Sequence, residues 1–118
     1  MTTLIQDVQT LLAALAPAGG VSYGLNTASP TTYPYIVWRR IASAPNVSLR
    51  GPSLLQNTRL QIDIYSRTVS EVTAIETALE ATFAAWSVQN APLLSSDLVD
   101  PDTRAFRVIK EYSVWSTN

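Results

Sequence analysis

Asp97, Asp100 and Asp102 are the closest approach this sequence makes to a metal-binding constellation. Three carboxylates so near each other could hold a hard cation such as calcium. The spacing is not that of an EF-hand loop, however, and no glycine or terminal glutamate completes one. A turn built on 100–103, with Pro101 presetting φ and aspartates bonding the local backbone, accounts for the same residues better. Nucleophilic catalysis has even less to work with. Serines are plentiful, but the chain has no histidine and no cysteine, so the commonest activating base, the commonest transition-metal ligand and the thiolate nucleophile are all missing. Ser-Lys chemistry would rest on the one lysine, Lys110, which sits in a strand-like segment. No G-x-S-x-G, P-loop or G-x-G-x-x-G motif appears. The sequence predicts a protein without catalytic residues, cofactor or metal.

The arginines carry more information. Arg39, Arg40, Arg50 and Arg59 lie in a stretch, 35–60, that contains no acid. Glu71, Glu76, Glu80, Asp97, Asp100 and Asp102 lie in another, 68–103, that contains no base. Charge segregated in this way describes either two solvated faces or a heterologous interface, in which the basic patch of one copy meets the acidic patch of the next. Complementary charge of that kind fixes register more than it adds affinity. Phosphate contact is the other use for clustered arginines. A net charge of −1 argues against a dedicated nucleic-acid binder and leaves only passive lining of a DNA channel. Tyr35, Trp38 and Trp115 divide similarly between core packing and interface anchoring.

The elements that must position these residues follow from periodicity. Leu4, Val8, Leu11, Leu12 and Leu15 fall on one face of a helix, with Thr3 and Gln6 supplying a capping box and Pro17, Gly19 and Gly20 ending it. Residues 21–23 have the composition of a short edge strand, and 25–34 read as loop. A strand is expected over 35–44; it is apolar on both sides, as a strand covered on both faces would be. Residues 45–56, with Asn46, Gly51 and two prolines, read as a long inter-strand loop, a length that is often functional. We expect this loop to be an interaction element that orders on binding, with Arg50 at its centre. In 57–66, Leu60, Ile62 and Ile64 alternate with polar residues at the period of a strand. Thr68 and Glu71 open a second helix, whose stripe is Val72, Ile75, Leu79, Phe83 and Trp86; Asn90 and Pro92 close it. Strands are expected over 93–99 and 104–116. On the last, Phe106, Val108, Tyr112 and Val114 share one face, while Arg107, Ile109, Glu111 and Trp115 share the other.

A chain of 118 residues with 47% hydrophobic side chains builds one domain with a real core. The order helix, two strands, helix, two strands predicts an α+β fold: an antiparallel, or mixed, sheet of about four strands with both helices on one face. Charged residues make up 14%, well below the usual quarter, which favours self-association. No leader and no membrane-length apolar run is visible, which predicts a product made in the cytoplasm.

The residues that identify a relative run from 33 to 115. They are Tyr33-Pro34-Tyr35-Ile36-Val37; Ser48-Leu49 with Gly51; Arg59 through Ser66; then Asp100, Thr103, Arg104, Arg107 and Val108; and last Tyr112-Ser113-Val114-Trp115. In this order and spacing they resemble the tail-completion, or tail-terminator, proteins of long-tailed bacteriophages and prophages, which join tail to head. The resemblance implies a homo-oligomeric ring, a hexamer, in the virion. Such a ring caps the head-proximal end of the tail tube, ends its polymerisation, docks the head connector and lets DNA pass. It carries no catalytic residue over. Taken together, the residues nominated for interfaces are Trp38, Arg39, Arg40, Arg50, Arg59, Glu76, Glu80, Asp100 and Asp102. The alternatives left open are another head–tail connector or minor tail component, a monomeric cellular ligand-binding α+β domain, and an enzyme using carboxylates alone.

Overall fold

The computed structural model describes residues 3–24, 32–48, 51–99, 101 and 104–116, without the side chains of 44–48 and 51–55. In chain order the elements are α1 (Leu4–Ala13), β1 (Val21–Tyr23), β2 (Tyr35–Ser48), β3 (Gly51–Ser66), α2 (Val69–Ala85), β4 (Asn90–Val99) and β5 (Phe106–Ser116). The expected α+β class is what forms, with one strand more than expected. Five strands make a single mixed sheet in the order β1-β2-β3-β5-β4. β1 lies parallel to β2, and all other neighbours are antiparallel.

Both helices begin where their caps dictate. The Thr3 hydroxyl accepts from the Gln6 amide at 3.3 Å while the Gln6 side chain accepts from the Thr3 amide at 2.9 Å, a complete capping box. At α2 only half of the box forms. Thr68 accepts from the Glu71 amide, but the Glu71 carboxylate accepts from the Ser66 hydroxyl instead. α2 ends as Asn90, already the first residue of β4, donates its side-chain amide to the Phe83 carbonyl at 3.0 Å, covering an orphan acceptor of the last turn. Glycine is required at position 19. Its amide donates to the Pro34 carbonyl at 2.7 Å, and a Cβ there would stand 1.9 Å from the Thr32 carbonyl oxygen, so no larger residue lets the chain enter β2 in this way.

The core is one layer between the helices and one face of the sheet. Leu4, Val8 and Leu12 of α1 and Val72, Leu79 and Phe83 of α2 cover Ile36, Trp38, Leu60, Ile62, Ile64, Val108, Tyr112 and Val114. Strand alternation sends these sheet residues to one side, together with Thr58, Ser66 and Lys110; register confirms it, Ile36 opposing Ile64 and Trp38 opposing Ile62. The open face carries Tyr35, Val37, Arg39, Arg59, Gln61, Asp63, Tyr65, Arg107, Ile109, Glu111 and Trp115, by the same alternation.

The expected loop at 45–56 is corrected. β2 runs to Ser48 and β3 starts at Gly51, paired through Val47 with Pro52 and Ser48 with Gly51. Prolines led to the loop reading because they cannot donate to a ladder, yet an edge position or bulge tolerates them. Here register shifts fall between Arg40 and Ala42 and between Pro45 and Val47. The result is a two-stranded arm. β5 accompanies β3 only as far as Gln56, and β1 accompanies β2 only over Ile36–Trp38.

Candidate functional site

Two charged clusters lie on opposite faces of the sheet. Under α2, Lys110 is 5% exposed. Its ammonium donates to Glu80 Oε1 at 2.6 Å and stands 3.8 Å from Glu76 Oε2, which also accepts from the Ser95 hydroxyl at 3.2 Å. Glu76 and Glu80 are four residues apart on one helix, so both reach the same strand position. Tyr112, on the same face, stacks on Phe83 with centroids 4.2 Å apart. Burial, then the negative charges of Glu80 and Glu76, push its phenol up to about 12.

On the open face, charge pairing runs across the strands. Arg59 meets Glu111 at 2.7 Å and Arg107 meets Asp63 at 2.7 Å. Gln61 donates to Asp63 at 3.1 Å and accepts from Arg39 at 3.4 Å. Beside this ladder, Tyr35 stacks on Tyr65 at 4.6 Å, Tyr33 leans on Tyr35 at 5.2 Å, and guanidinium groups cap the rings: Arg67 4.5 Å from Tyr33, Arg107 5.5 Å from Tyr65. The row explains why β2 is apolar on its second side. Tyr35 and Val37 are half-covered by neighbouring side chains rather than by a second helix layer.

The nominated residues are therefore redistributed. Trp38 is corrected from interface candidate to core: it is 1% exposed, its indole N–H donates to Gln9 Oε1 at 2.7 Å, and Tyr23 packs edge-on at 4.8 Å. A buried Trp whose N–H finds a partner is a packing residue. Arg39 and Arg40 do not form one patch. Adjacent on a strand, they point to opposite faces, Arg39 opposing Gln61 and Arg40 opposing Leu60. Arg59, Glu76 and Glu80 are engaged within the chain. Arg50, Asp100 and Asp102 lie outside the described residues. Folding relieves the segregation of charge only in part: strand pairing brings Glu111 to Arg59 and helix packing brings Glu76 and Glu80 to Lys110, while Arg39, Arg40 and Asp97 join none of the ion pairs of the described residues. The i, i+4 spacing of those glutamates was the available signal for the Lys110 cluster, and the tyrosines flanking β2 and β3 were the signal for the stack. Among the described residues, no group of three potential metal ligands converges. Arg40 and Asp97 are exposed, and neither belongs to the ion pairs of the described residues.

A shallow groove of about 320 Å³ opens between the first turns of α2 and the end of β4, lined by Val69, Glu76, Asp97, Leu98, Val99 and Phe106 among others. Val69 and Val99 are exposed there, and the side chains of Leu93, Leu94 and Leu98 are exposed elsewhere on β4.

The model of one protein family, described as tail completion protein gp17, matches residues 5–117. The chain belongs to that family. This tail-completion protein is accordingly a structural component of the virion tail. Its fold also recurs in a solved structure titled "Virion of native gene transfer agent (GTA) particle", with a TM-score of 0.64, 13% identity, and coverage of 88% of this chain and 82% of that one. At that identity the likeness is one of fold. No curated protein matches the chain significantly. Among the described residues, no helix is long and apolar enough to cross a membrane.

Proposed function

We propose that the tail-completion protein is a non-enzymatic assembly factor that forms a ring, a hexamer, on the head-proximal end of the tail tube. The ring ends tube polymerisation, presents the docking surface for the head connector and leaves a channel for DNA. Family membership over residues 5–117 carries this reading. The molecule supports it in two ways. Among the described residues, the two charged clusters are paired internally. Its ends are also unlike: a two-stranded arm projects at one and an apolar edge strand lies at the other, as head-to-tail contacts in a closed ring require. The arm is the interaction element in this proposal, since a two-stranded ribbon is marginal in water without a further partner.

Removing the protein from an infecting phage tests the role. Tube polymers of unregulated length, separate from filled heads, are expected by electron microscopy. Tails of normal length joined to heads in its absence would overturn the proposal. Label on the tail end farthest from the head would instead assign a minor tail component.

A further inference from the structure

The two outer edges of the sheet differ in sequence and match in geometry. Among the described residues, no strand pairs the outer edge of β2 beyond Trp38, whose carbonyl accepts the last contact, from Gly24, at 2.8 Å. Among the described residues, nothing pairs this edge from Arg39 up to Pro45, which cannot donate. At the other side of the sheet β4 is the last strand. Its ladder to β5 shifts register between Pro92 and Leu94 and then runs regularly from Leu94 to Val99. Leu94 is 46% exposed, Leu98 46% and Val99 57%.

We propose that β4 of one copy pairs with the outer edge of β2 of the next, so that the sheet continues from subunit to subunit around the ring; this rests on the ring reading above. Strand direction is the first argument. β2 and β5 run one way and β3 and β4 the other. A rotation about an axis along the strands preserves those directions, so β4 meets the neighbour's β2 antiparallel, the stronger ladder.

Charge sets the register. Arg40 and Asp97 both point to the helix-covered face, since they oppose Leu60 and Val108 of the core. Opposing them puts Arg39 against Leu98, both on the open face, where the arginine stem covers the exposed leucine. Counting the extra residue at the Arg40/Ala42 shift, Ala42 then opposes Ser96, Ser43 opposes Ser95 and residue 44 opposes Leu94. The ladder so defined starts where β1 stops and ends at both irregularities together, before Pro45 on one strand and at the Pro92/Leu94 shift on the other. It also gives the projecting arm a third strand at its base. Arginines, a bulge and a proline on a strand edge repel generic strands. A partner with an acid in one place and leucines beside it is what such an edge would accept.

The chain has no cysteine, so a double variant, Ala42→Cys with Ser96→Cys, reads the contact directly. Opposed residues of an antiparallel pair are at disulfide distance. Under mild oxidation, in purified virions and in concentrated protein, the double variant is expected to give a ladder of covalent oligomers, and each single variant none. Charge provides a second reading. Asp97→Arg is expected to weaken assembly at least about tenfold, and adding Arg40→Glu to restore it. Rings without a ladder, or single variants that link to themselves, would overturn this interface while leaving the ring standing. Virions that carry the protein only as isolated copies would overturn the ring and the interface with it.

Discussion

The two faces of this sheet place their most exposed charges differently. Beneath the helices, Lys110 is 5% exposed in a layer built mostly from leucine, isoleucine, valine and aromatic rings, and it is held by Glu80 and Glu76 reaching down from α2. On the open face, arginines and acids alternate across β3 and β5 at similar distances; Arg59 keeps half its side chain in water, while Asp63, held by Arg107, is 7% exposed. An ion taken from water must be repaid by its partners; one left in water is nearly free to come and go. The covered face therefore determines whether the chain folds. The open face pairs Arg59 with Glu111 and Arg107 with Asp63; in the assembly we propose, contacts with other copies run through the edges, with Arg40 and Asp97.

Tryptophan truncation gives the largest expected contrast. Trp38→Ala removes a fully buried ring and its bond to Gln9, and is expected to cost about 3–5 kcal/mol in denaturant unfolding. Trp115→Ala, on the open face and only partly buried, is expected to cost less than half as much. Equal losses would mean that the open face is as much a core as the covered one, and the distinction would collapse.

Alkaline pH sharpens the comparison from the covered side. Tyr112 keeps its proton in the folded chain up to about 12, against an ordinary value of 10.0. The folded state thus binds this proton more tightly than the unfolded state. Its contribution is fully present below pH 10 and is lost as pH climbs from 10 to about 12, a fall of about 2–3 kcal/mol. Tyr112→Phe should remove that part of the alkaline loss, read as the difference between the two unfolding profiles. Parallel profiles for the two proteins would show that the phenol is not held away from water and charge as the structure places it.

Much of this division was visible in the sequence. The alternation of Leu60, Ile62 and Ile64 and of Phe106, Val108, Tyr112 and Val114 assigned residues to the correct face, and Thr3-x-x-Gln6 and Thr68-x-x-Glu71 marked both helix starts. Periodicity serves where one face is dry and the other wet. It failed at the arm, where Pro45, Gly51 and Pro52 resemble a loop because composition reports missing donors, not whether the neighbouring strand needs them. Charge was legible only in part. Runs of like sign along 35–60 and 68–103 left two solvated faces or a heterologous interface open, and pairing partners in a sheet come from distant sequence: Arg59 meets Glu111 and Lys110 meets Glu80. Trp38 was ambiguous for a related reason, since only the position of Gln9 on α1 shows which side of β2 is covered.

The smallest expected effect tests the open face most directly. Arg59 and Glu111 are 2.7 Å apart, with side chains 50% and 15% exposed. A double-mutant cycle with Arg59→Met and Glu111→Gln, on the free protein, should give a coupling of about 0.2–1 kcal/mol. Raising the salt to about 1 M shortens the screening length to about 3 Å and should weaken that coupling. Glu111→Gln should leave the midpoint of unfolding nearly where it was, because the released Arg59 is half in water, and Arg59→Met should lower it more, because the released Glu111 is only 15% exposed. A coupling several times larger and indifferent to salt would show that the pair is shielded in the free protein. In that case a second copy already covers this face, and contacts between subunits run through it rather than through the edges of the sheet.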